Sequence, residues 1–90
     1  NAYAYYGKGL AYLRSEEYEN AVEEFLNAIE RLYHFPIAHL HLGETLALMK
    51  EYDAAIDTLE LVRTYYSVES AQLRKRIAEI VRAIAQTVTS

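Results

Sequence analysis

The sequence predicts an all-α protein built as an array of antiparallel helix pairs, and three observations point there. First, its pattern recurs at a fixed offset: Gly43 stands 34 residues after Gly9, Tyr52 34 after Tyr18, and Ala55 34 after Ala21. Phe25 and Leu59, Val22 and Ile56, and Glu17 and Glu51 share that register. A period between roughly 20 and 50 residues marks a repeat architecture, in which each unit buries its apolar face against its neighbour. Second, no segment alternates apolar and polar residues with period two, as a half-buried strand would. Third, three glycines and one proline leave long stretches free to be helical.

Tyr5, Gly9 and Tyr12 lie on one face of a helix over 3–15, and Tyr3, Tyr6, Leu10 and Leu13 on a second. Two apolar faces mean that this helix meets something on both sides. Ser15, Glu16 and Glu17 form the turn. A helix from Tyr18 to Leu32 follows, its stripe made of Ala21, Val22, Phe25, Ala28, Ile29 and Leu32. Glu19, Glu23, Glu24 and Glu30 lie largely off that stripe, as a solvated face does. Pro36 suits the first turn of a third helix and disfavours helical geometry in the residue before it. That helix, 36–49, repeats the two-faced design. A break at Lys50, Glu51 and Tyr52 follows, with Asp53 placed to cap a fourth helix that buries Ala55, Ile56, Leu59 and Val62. Ser67 is a cap for a fifth helix over 68–88, with Leu73, Ile77, Ile80, Val81, Ile84 and Val88 on one side.

Ninety residues make one domain with a thin core, burying roughly 60–65% of the unfolded chain's surface. The composition, 24% charged and 52% hydrophobic, is that of an ordinary globular chain. A net charge of −4 argues against a nucleic-acid partner. The absence of cysteine excludes disulfides and thiolate metal sites and leaves the compartment open, with the cytoplasm favoured. No apolar run reaches the ~18–20 residues that membrane insertion needs. The chain opens on Asn1 without a methionine, so it reads as a processed or excised piece, with residues 1–2 open to being a tag or processing remnant.

The recurring residues resemble the tetratricopeptide repeat, a helix pair of about 34 residues patterned W-x2-L-G-x2-Y, A-x3-F, P. Here Tyr5-x2-Lys8-Gly9-x2-Tyr12 precedes Ala21-x3-Phe25, and His39-x2-Leu42-Gly43-x2-Leu46 precedes Ala55-x3-Leu59. Tyr18 and Tyr52 match the tyrosine that commonly opens the family's second helix. Lys8 and His39 depart from the usual leucine and aromatic residue. The resemblance implies a right-handed superhelical array of five helices: a first pair over 3–35, a second over 36–67, and a capping helix or half repeat over 68–90. Ile77, at the third glycine position, favours the capping helix. Gly9 and Gly43 would admit close helix approach, with Ala21 and Ala55 facing them and Phe25 and Leu59 filling the gap towards the next repeat.

The resemblance also implies a function. In such arrays the first helix of each pair lines a concave groove that takes up a peptide or helix of a protein partner. Matched by position, the groove is Tyr3, Tyr6, Leu10, Leu13 and Arg14, then Ile37, Leu40, His41, Glu44 and Leu48, with Ala71, Arg74, Lys75 and Ala78 from the last helix. Family members that clamp chaperone tails use lysine, asparagine, asparagine, lysine and arginine where this chain has Tyr6, Leu10, His41, Ala71 and Lys75, so that subclass is disfavoured. The alternatives are a homodimerisation or spacer module, with the stripe of Tyr3, Tyr6 and Leu10 as contact, and an accessory domain of a larger enzyme.

The residues argue for no catalytic or cofactor site. There is no cysteine, no Gly-rich phosphate loop and no nucleophile motif, and the carboxylates lie on solvent faces where pKa shifts are small. His39 and His41, two apart on a helix, point about 200° apart and so make no metal pair. Eleven acids between 15 and 60 contrast with the basic Arg74, Lys75, Arg76 and Arg82. That asymmetry suits a solubilising cap face, an acidic partner, or head-to-tail contact between copies.

Overall fold

The computed structural model describes residues 1–65 and 71–89. Its elements are α1 (Ala2–Arg14), α2 (Tyr18–Arg31), α3 (Pro36–Leu48), α4 (Tyr52–Tyr65) and α5 (Ala71–Thr89). All regular structure among the described residues is helical. Each boundary has a local cause. The Ala4 N–H donates to Asn1 Oδ1 at 2.9 Å, so Asn1 caps α1, and Ala2 is buried beside it. Leu32 leaves the helical region with φ −142° and ψ 90°. Phe35 is extended too, φ −139° and ψ 72°, as the residue before a proline must be, and Pro36 starts α3. Asp53 sits inside the first turn of α4 rather than at its cap, where its charge still opposes the positive end of the helix dipole. The expected cap at Ser67, and the start of the fifth helix at 68, lie outside the described residues.

The turns between paired helices are copies of one another. In the first, Glu16 N–H donates to Leu13 O at 3.0 Å and Glu17 N–H to Tyr12 O at 2.9 Å. In the second, Lys50 N–H donates to Ala47 O at 3.0 Å and Glu51 N–H to Leu46 O at 2.9 Å. Both are Schellman closures, which satisfy the last carbonyls of the helix with a residue in the left-handed region. Glu16 at φ 59° and Lys50 at φ 65° are those residues, 34 positions apart.

Neighbouring helices pack in sequence, α1 on α2 through to α4 on α5, and in addition α1 meets α3 and α3 meets α5. That second relation, each odd helix meeting the next odd helix, is the mark of a stacked array. Two apolar clusters result. Ala2, Ala21, Phe25, Ala28, Ile29, Phe35, Ala38 and Leu42 form the first. Leu40, Ala55, Leu59, Val62, Ile77, Ile80 and Ile84 form the second. Leu46 packs against both. The stripe of α5 stops short of its expected end, because Val88 is 62% exposed.

Gly9 and Gly43 are buried where their paired helices approach. A Cβ on Gly9 would lie 2.5 Å from Phe25 Cε1, and one on Gly43 would lie 2.7 Å from Leu59 Cδ2. Phe25 and Leu59 therefore press on the glycine of their own pair, a contact that the sequence pattern assigns to Ala21 and Ala55. Those alanines are fully buried in the two clusters, with the Ala55 carbonyl 3.6 Å from the Gly43 position.

The departures at 8 and 39 are both accommodated. Lys8 stays exposed, its ammonium 3.9 Å from Glu24 and 5.6 Å from the Tyr5 ring centre. Arg31 of α2 covers the same ring at 4.1 Å, a cation–π contact of about 0.5–1 kcal/mol. His39 is buried as an aromatic residue would be, with Nε2 3.1 Å from the Tyr33 carbonyl and its ring edge-on to Tyr33. Burial holds its pKa below the ordinary imidazole value, against the opposing pull of that hydrogen bond.

Candidate functional site

The odd helices carry a continuous line of side chains across the array. Tyr6 of α1 is half-buried, its ring centre 5.2 Å from Phe35, 6.0 Å from Phe25 and 5.8 Å from His41 of α3. Tyr3 lies over Phe35 at 5.2 Å yet is 68% exposed. Leu10 and Leu13 are half-buried against the first cluster, and Ile37 is exposed at the start of α3. One turn on from His41, Glu44 accepts from its Nδ1 at 3.2 Å. Arg76 of α5 donates to the other carboxylate oxygen. Tyr6, His41, Glu44 and Arg76 thus join α1, α3 and α5 through contacts.

The electrostatics follow from that line. The His41 hydrogen bond holds the Glu44 carboxyl below the usual carboxylate range, with burial opposing and Arg76 reinforcing. Burial raises the Tyr6 phenol above its ordinary value; Arg14 opposes and Glu44 adds to the rise. Thr45, fully buried beside them, gives its hydroxyl proton to the His41 carbonyl at 2.7 Å. No three His, Asp or Glu side chains converge as a metal site among the described residues.

Beyond Glu44 the line opens into a hollow of about 300 Å³ between α3, the start of α4 and α5. Glu44, Leu48, Tyr52, Arg76, Ile80 and Ala83 are among its walls. Leu48 is half exposed there. Two expectations for this face change. Leu40 is 4% exposed and belongs to the second cluster, so it supports the face without being offered on it. The basic residue opposite Glu44 is Arg76, rather than the expected Arg74 or Lys75. The reason is the rotation of α5. Ile77, Ile80 and Ile84 are its buried stripe, and residues on either flank of that stripe point to different neighbours. Arg76, Ala83 and Thr87 fall on the flank towards α3, while Arg74, Ala78, Arg82 and Ala85 fall on the other, beside Arg63 of α4. The isoleucine spacing carried this signal; transferring positions from the first two pairs obscured it.

Residues 2–31 match the tetratricopeptide repeat family model. Over that third of the chain it is similar to a tetratricopeptide repeat. The second helix pair stacks on the first in the 34-residue register and its first helix closes with the same turn, so the two pairs form a helical repeat array. The chain matches no curated protein and no solved structure. Tetratricopeptide repeats generally mediate protein–protein interaction, and they present extended surfaces because stacked helix pairs leave one face of each unit unpaired. No helix among the described residues is long and apolar enough to cross a membrane.

Proposed function

We propose that this protein holds a segment of a partner protein along the face of α1, α3 and α5. The observation behind the reading is the unbroken path from Tyr6 through His41 and Glu44 to Arg76, ending in the apolar hollow at Leu48, Ile80 and Ala83. Tyr3, Tyr6, Leu10, Leu13 and Ile37 supply aromatic and aliphatic area. Tyrosine gives such area at low entropic cost, because it freezes few torsions on binding. The Glu44–Arg76 pair offers a partner both an acceptor and a donor, and Leu48 the anchor position beside them. The bound segment is apolar or amphipathic, with its polar groups spaced to reach that pair.

Peptide selection against the folded domain tests this. A selected peptide is titrated into isotopically labelled protein while amide and side-chain shifts are followed. The expected result is perturbation concentrated at Tyr6, His41, Leu48 and Ala83, with Leu48→Glu weakening the peptide at least tenfold while helix content is unchanged. Leu48 is chosen over Leu40 because Leu40→Glu would place a charge in the core and unfold the second cluster. Shifts confined to α2 and α4, or an affinity indifferent to Leu48→Glu, would remove the odd-helix face from consideration.

A further inference from the structure

A second hollow lies on the other flank of α5, about 330 Å³, lined by Ile77, Ala78, Val81 and Ala85 and rimmed by Arg63, Arg74 and Arg82. No carboxylate of the described residues lines it. Among the described residues, Arg74 and Arg82 are exposed and make no ion pair, and Arg63 pairs with the exposed Glu60 at 4.0 Å. An apolar floor under three guanidinium groups is a seat for a helix that presents an apolar residue between carboxylates. The repeat register agrees. Ile77 stands at the position where Gly9 receives α2 and Gly43 receives α4, so the hollow borders the part of α5 that, in the two preceding pairs, takes a partner helix.

The chain itself displays the complementary surface. On α2, Leu26 is 51% exposed, and Glu19, Glu23 and Glu30 are exposed beside it. At about 100° per residue these four positions fall within about 60° of one another, on the face turned away from Phe25. The stripe thus places a leucine among carboxylates three, four and seven residues away. We infer that a second copy of this chain docks the Leu26 stripe of α2 into the arginine-rimmed hollow between α4 and α5. The contact is head-to-tail, since the two surfaces are different patches of one molecule. It leaves the face of α1, α3 and α5 free and does not depend on the function proposed for it.

Sedimentation velocity over a concentration series, at low and at moderate salt, tests the contact. The apparent mass is expected to rise with concentration, and less so at moderate than at low salt, because the rim charges are screened. Arg74→Glu with Arg82→Glu should weaken association at least tenfold, and so should Glu23→Arg with Glu30→Arg, each with an unchanged helical spectrum. Mixing the two double variants is the deciding arm: the reversed stripe of one then faces the reversed hollow of the other, and association should return in the mixture alone. A chain that stays monomeric throughout would overturn the inference and leave the hollow to a foreign acidic helix. Association that ignores both charge reversals, or a mixture that fails to recover it, would overturn it too.

Discussion

Gly7 and Gly9 sit two residues apart in α1 and should respond oppositely to the same methyl group. A Cβ at Gly7 meets nothing within 4 Å, whereas one at Gly9 would fall 2.5 Å from the ring of fully buried Phe25. Alanine is favoured over glycine in a helix by roughly 0.8–1 kcal/mol, so Gly7→Ala should raise stability by about that much. Gly9→Ala gains the same propensity but must displace a rigid ring from a closed cluster, an overpacking cost of about 1–3 kcal/mol, and should come out destabilised. Gly43→Ala is the milder case, because Leu59 Cδ2 and Cγ, at 2.7 and 2.8 Å, belong to a side chain with a rotamer to give. Urea midpoints for the three variants check the order, Gly7→Ala highest and Gly9→Ala lowest.

At the scale of the element, the turns after α1 and α3 hold glutamate and lysine where a left-handed residue is needed. Glu16 at φ 59° and Lys50 at φ 65° carry a Cβ–carbonyl clash that glycine would not. Lys50→Gly should stabilise the second pair by about 0.5–1 kcal/mol, the strain relieved being partly offset by the greater freedom of the unfolded chain. Lys50→Val should destabilise it, since a branched side chain tolerates that region worst. Chemical denaturation of both variants reads the sign. The pairs themselves were legible because close approach demands small residues, and Gly9 and Gly43 announce it 34 positions apart. The backbone of the turns was not, because their strained residues are neither glycine nor asparagine. Nor was the facing of α5 legible by register alone. The packing of Ile77, Ile80 and Ile84, not the 34-residue offset, sets its rotation and selects Arg76 as the partner of Glu44. Leu40 misled for a related reason: the same position in α1, Tyr6, stays half-buried, while the packing of α5 covers Leu40.

At the scale of the whole molecule, two groups among the described residues make stability fall on the acid side, in separate windows. His39 has a folded pKa below its ordinary 6.5 because burial disfavours the imidazolium. The unfolded chain therefore binds the proton first, and stability that is full above pH 6.5 falls as pH drops towards the folded value. Glu44 has a folded pKa below its ordinary 4.5 through His41 and Arg76, so its contribution is full above pH 4.5 and is lost as pH falls through the lower folded value. The two losses share a sign and differ in where they begin. They also strike different places: His39 fixes the entry to α3 through the Tyr33 carbonyl, and Glu44 ties α3 to α5. His39→Phe keeps an aromatic ring in the buried site and should flatten the decline that starts at pH 6.5. Glu44→Gln should lower stability near pH 7 by about 1 kcal/mol, the scale of one hydrogen bond to a charged group partly open to water, and should remove the decline below pH 4.5. Thermal unfolding of the parent and both variants from pH 8 to pH 3 reads both windows. A parent melting temperature that is flat between pH 7 and pH 5, or a His39→Phe variant that still declines there, would mean that His39 is protonated as readily in the folded array as in the free chain. Burial at the junction of α2 and α3 would then not be setting its charge.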